Sequence, residues 1–234
     1  MLTRTRELCL LILATIAWAF ASLPDVAGAA QQAAPAQPPA QAEGSLSQQV
    51  GPDLEAGFAG DQARYDKAVK LVKERLAANP KDPEAMVWNG AITLFQSGTA
   101  YREQRLEDAG NLWFQSMKEM DEAVASAPEN VAVRMVRGMI LLPVARFDGI
   151  PEAPEILLAK VREDFEKTLS LSKDYFEMMP LPVRAQVLGG LAESLDRLGK
   201  PEEARPYYQR VVAECSGTPQ HKQAEDWLAK RAAP

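Results

Sequence analysis

Between Leu188 and Val211 the large and small residues fall in the order that two antiparallel helices need if they are to interlock. Leu188, Leu191 and Leu195 recur at intervals of three and four, so they form a stripe on one helix face. Ala192 follows Leu191, and a small side chain there lets a second backbone come close while the leucines fill the remaining gap. Gly199 marks the turn, and Ala204, Tyr208 and Val211 repeat the small-large-apolar rhythm on the returning helix. Such a hairpin leaves an apolar face uncovered. It therefore has to stack on further copies of itself to bury a continuous core.

In this order of residues the segment resembles one tetratricopeptide repeat, with Ser216 standing where the family closes on a proline. Weaker copies precede it. Ala68, Val72 and Pro80 carry the second-helix spacing, and Asn79-Pro80-Lys81-Asp82-Pro83 reads as a helix stop followed by a fresh start. Gly90 takes the small place of a first helix, Met120, Ala123 and Pro128 repeat the second-helix pattern, Gly138 opens another unit, and Phe165, Thr168 and Leu169 give a fainter echo. The resemblance covers roughly residues 60–216 and is sharpest over 185–214. It implies an all-α fold of antiparallel helix-hairpin repeats, a TPR-like α-solenoid. The expected helices lie near 60–78, 84–97, 109–127, 130–142, 154–172, 182–198, 201–214 and 219–231. The last of these reads as a polar capping helix, with Trp227 packed on the final repeat. Gly90 to Ser116 and Gly138 to Val161 exceed the strict period of about 34 residues. The excess is assigned to inserted loops at 98–108 and 143–153, where Tyr101, Arg105, Arg146 and Phe147 are contact candidates.

Residues 1–29 read as a secretory signal. Arg4 and Arg6 precede an apolar run from Leu8 to Ala21, and Ala27-Gly28-Ala29 offers a small-x-small cleavage pattern. An uncleaved anchor is the alternative, but a span needs roughly twenty apolar residues and this run is shorter. Residues 30–55 are rich in Ala, Gln and Pro and are expected to be a disordered linker, leaving 56–234 as the helical domain. Periplasmic or secreted localisation follows, with no transmembrane segment in the mature chain. The bacterial setting rests on the likeness of Pro80 to Leu142 to exported bacterial repeat proteins without assigned activity. Cys9 would leave with the signal, so Cys215 has no internal disulfide partner and reads as an inert helix-end residue.

The chemistry-bearing residues point away from catalysis. The single histidine, His221, leaves no paired-histidine metal motif, and no glycine-rich phosphate loop is present. A net charge of −6 argues against a nucleic-acid partner. The family resemblance implies a non-enzymatic scaffold that needs no cofactor and holds a protein or peptide partner in its concave groove.

Two groups of residues could form that site. Arg134 and Arg137 lie three apart where the repeat expects apolar residues, so each needs a counter-charge. Structural pairing with Glu163, Asp164 or Glu166 is one reading; a clamp for a carboxylate or phosphate of a small ligand is the other. In the family orientation Gln186, Gly189, Glu193 and Asp196 point into the groove, and Met135 and Met139 line it from the preceding unit. Acidic and apolar groups together predict a ligand of basic and hydrophobic character.

Overall fold

Helix starts are written plainly in this chain. Asp61, Asp82 and Asn130 each accept a hydrogen bond from the backbone N–H three residues on, at 3.1, 3.0 and 3.2 Å, and Ser45 does the same for Gln48. Proline stands in the first turn of five helices, where a missing N–H costs nothing. A computed structural model describes residues 45–147 and 149–232, and among these it shows nine α-helices, a 3₁₀ turn at Phe176–Met178 and no strand. The helices are α1 (Leu46–Phe58), α2 (Gln62–Ala78), α3 (Pro83–Arg102), α4 (Leu106–Ser126), α5 (Val131–Val144), α6 (Pro154–Ser172), α7 (Leu181–Arg197), α8 (Pro201–Glu214) and α9 (Pro219–Ala232).

Consecutive helices pack as four hairpins, α1/α2, α3/α4, α5/α6 and α7/α8, and α9 closes the array. The first helices touch one another in sequence, α1 on α3, α3 on α5, α5 on α7 and α7 on α9, and so make up one layer. The second helices form the other layer, each also meeting the first helix of the next hairpin. This is the TPR-like helical solenoid the residue order implied. The core runs between the layers: Leu54, Val72, Met120, Leu157, Phe165 and Leu191 are all under 2 % exposed. Tyr208 stacks on Trp227 at 4.4 Å, fastening the capping helix to the last hairpin.

Three turns between the paired helices share one geometry. Residues Gly60, Gln104 and Gly199 take positive φ of 111°, 62° and 76°. In each turn the next residue's N–H bonds a carbonyl five back: Asp61 to Ala56, Arg105 to Ala100 and Lys200 to Leu195, at 2.9 Å.

The structure corrects two expectations. The stretch expected to be linker as far as residue 55 already contains α1, on which Leu46, Val50, Leu54 and Phe58 recur every fourth residue and are 5 % exposed or less. It is the first helix of the first hairpin. Its outer end is tied to α3 by Ser47, which accepts a bond from Trp88 Nε1 at 3.0 Å and donates to Glu84 at 3.2 Å. Nor is there a loop over 98–108. Helix α3 runs to Arg102, α4 starts at Leu106, and only three residues connect them. The period is exceeded there because these helices are long, at 20 and 21 residues. Between α5 and α6 the described residues 145–147 and 149–153 lie outside the helices, so the loop expected at 143–153 begins only after Val144, the last residue of α5. The expected signal and the linker up to residue 44 lie outside the described residues.

Candidate functional site

The layer of first helices curves around a cavity of about 250 Å³. Its apolar walls come from both ends of the array: Leu54 and Phe58 of α1, Trp88 of α3, Met139 and Ile140 of α5, and Leu181 of α7. Phe58 is held in place by stacking on Phe95 at 4.7 Å, with Tyr65 tilted against both rings. A cavity of this size falls below the range usual for drug-sized ligands and suits one or two side chains.

Polar groups gather at the mouth. Gln220 of α9 donates from Nε2 to Gln186 Oε1 of α7 at 2.8 Å, and Gln223 stands one turn further on. Arg146, just past α5, donates from Nε to Glu193 at 2.8 Å, and Arg197 lies 3.6 Å from the same carboxylate. The bond to Glu193 holds the Arg146 guanidinium above its usual pKa range despite burial. Glu55 of α1 completes the rim, and burial raises its carboxyl above the ordinary value, partly offset by the field of Arg64. Arg64 itself is bonded to Asp53 at 2.7 Å.

Of the eight residues singled out from sequence, Met139, Gln186, Gly189 and Glu193 line this cavity. Gly189 contributes by absence, because a β-carbon there would sit 2.9 Å from Gln220 Cγ and push α9 off the rim. Asp196 instead pairs with Arg231 of α9 at 3.0 Å, and Met135 packs half-buried against the core. Neither is on the cavity wall. Glu193 is there, but its charge is matched by Arg146, so the acidic group open to a ligand is a different one.

Arg134 and Arg137 are not on the cavity wall either. Both are 5 % exposed and point between the layers. Arg137 grips Asp164 with two donors at 2.7 and 2.9 Å and reaches Asp121 with a third at 2.8 Å. Arg134 bonds the Pro128 carbonyl at 2.6 Å, Asp164 at 3.0 Å and Glu163 at 3.2 Å. Lys160 joins the network through Asp121 at 2.9 Å. The pairing reading therefore describes these arginines, with Glu163 and Asp164 as expected, whereas Glu166 faces Arg162 at 3.8 Å. The ligand-clamp reading fails because Asp164, with no exposed side-chain area, already occupies the place a ligand anion would take.

Members of the site that escaped the sequence reading include Glu55, Leu54 and Phe58 on α1, Trp88 on α3 and Gln220 and Gln223 on α9. The second-helix pattern at Ala68 and Val72 required a first helix upstream, and the four-residue recurrence from Leu46 to Phe58 supplies it. Among the loop candidates, Tyr101 is exposed at the end of α3, Arg105 pairs with Glu103 and Asp108, and Phe147 is half-buried. Burial raises the Cys215 thiol above its ordinary pKa, so little thiolate is available. Among the described residues no cluster of three or more His, Cys, Asp or Glu side chains is arranged to hold a metal, and no helix is long and apolar enough to cross a membrane.

The tetratricopeptide repeat family matches residues 162–219, which comprise most of α6, all of α7 and α8, and the first residue of α9. The stacked hairpins on either side of that match repeat the same pairing of helices, which supports a tetratricopeptide-like array. Such repeats generally mediate protein–protein interaction and are generally not enzymes. Neither the curated proteins nor the solved structures yield a match.

Proposed function

We propose that this chain is a non-enzymatic scaffold that holds a peptide segment of a protein partner in its concave groove. The observation that carries the reading is the cavity itself: an apolar recess, walled by helices from both ends of the array, under a rim of side-chain amides and charges. Apolar pockets with a few convergent polar groups are where binding concentrates. Amide side chains such as Gln186, Gln220 and Gln223 can both donate to and accept from an extended backbone.

The test is obstruction. Gln186→Trp places a large ring over the cavity mouth from a half-exposed position. Protein retained from the source's own envelope extract by the wild-type chain is expected to be lost by this variant at an unchanged melting temperature. Equal retention by both would contradict a groove site. The sequence of residues 1–29 supports an exported protein, and accumulation of a shortened chain outside the cytoplasm is the corresponding expectation.

A further inference from the structure

We infer that the cavity selects a peptide in which a large apolar side chain lies two residues from a Lys or Arg, the apolar group filling the recess and the cation pairing with Glu55. This rests on the groove reading above and adds the chemistry of the partner.

The argument is one of elimination among charges. Three ionic side chains line the cavity: Glu55, Arg146 and Glu193. The last two are bonded to each other at 2.8 Å, and Arg197 also meets Glu193, so this carboxylate is already matched by cations and is not free to take one from a ligand. Glu55 has no hydrogen bond or ion pair among the described contacts, and the nearest cation influencing it, Arg64, is held by Asp53 at 2.7 Å with Lys67 beside it at 2.8 Å. A half-buried carboxylate without a counter-ion is left short of solvation, and burial raises its pKa accordingly. A guanidinium or ammonium arriving with the ligand removes that deficit. An incoming anion would worsen it.

Position along α1 sets the spacing. Glu55 follows Leu54 and lies one turn before Phe58, both of which form cavity wall, so the carboxylate is at the edge of the apolar recess. Residues two apart in an extended segment point to the same side of its backbone, which lets the apolar group enter the recess while the long cationic side chain reaches the rim. The whole-chain charge of −6 draws a basic partner in the same direction.

The experiment is a positional-scanning library of acetylated, amidated octapeptides bound to the full chain, its Glu55→Gln variant and its Gln186→Trp variant. Wild type is expected to enrich Leu, Met or Phe two residues from Lys or Arg. Glu55→Gln should keep the apolar preference, lose the basic one, and weaken the best peptide about three- to tenfold. Gln186→Trp should abolish enrichment. Enrichment that Gln186→Trp abolishes but that shows no basic preference, or a basic preference untouched by Glu55→Gln, overturns this inference and leaves the groove reading standing. Enrichment that survives Gln186→Trp, or none with wild type, overturns both.

Discussion

The ring of Phe165 rests so close to Gly190 that a β-carbon on that glycine would stand 2.4 Å from the ring's Cε2. The opposite edge of the ring meets Gly138, where a β-carbon would lie 2.9 Å from Cε1. One aromatic side chain of α6 is thus received by glycines on α5 and α7, and this sets how closely successive hairpins stack. Because Phe165 is pinned on both edges it cannot swing aside. Gly190→Ala is therefore expected to lower stability by about 2 kcal/mol, overpacking outweighing the roughly 1 kcal/mol that alanine contributes to helix propensity. Urea unfolding measures it, and Phe165→Leu in the same chain should restore most of the loss.

Removing one partner from the Arg134–Asp164–Arg137 network strands buried charge. Asp164→Ala is expected to cost about 3–5 kcal/mol by chemical denaturation, while replacing all three residues with Met, Leu and Met should cost much less. Similar losses from the two variants would show that the network contributes through shape and not through charge.

Helix α1 belongs to the fold. Leu54→Ala should destabilise the protein by about 2–5 kcal/mol, since Leu54 has no exposed area. A change below about 0.5 kcal/mol would return this segment to the status of a linker.

The latch between α1 and α2 is pH-dependent. Burial alone would raise the Asp53 carboxyl, but hydrogen bonds from Lys67 and Arg64 outweigh it and hold the group below its ordinary value of 3.8. A depressed folded value means the stabilisation is fully present above about pH 4 and is lost as pH falls through the lower folded value. Between pH 7 and pH 3, wild type should lose more melting temperature than Asp53→Asn does.

Gln104 occupies the left-handed place that Gly60 and Gly199 fill in the equivalent turns. A side chain in that region costs on the order of 1 kcal/mol. Gln104→Gly should raise the free energy of unfolding by about 0.5–1 kcal/mol, with no change in peptide binding.

That same turn shows where the sequence stopped being readable. Gly199 announces its hairpin because glycine is the residue such a turn favours, whereas Glu103-Gln104-Arg105 carries neither glycine nor proline, so the repeat period alone pointed to a loop and the true turn gave no signal. The last hairpin was legible because its spacing is set by local packing, Leu191 and Ala192 against Ala204 and Tyr208. Helix α1 was obscured by the proline-rich composition before it and by Pro52 within it, although Leu46, Val50, Leu54 and Phe58 carried the pattern. Half of the residues singled out from sequence, Gln186, Gly189, Glu193 and Met139, do line the cavity. The rest of the lining, including Glu55, comes from helices distant in sequence, and no local pattern shows that α1, α7 and α9 line one cavity.

The central claim is that a protein partner lies in the groove. A photo-crosslinking residue placed at Gln186, and separately at exposed Phe114 on α4, tests it in cells of the source. Crosslinks to a defined protein from position 186 but not from 114, competed away by a peptide pairing an apolar residue with Lys or Arg, are the predicted result. Equal crosslinking from both positions, or none from 186, would contradict the account.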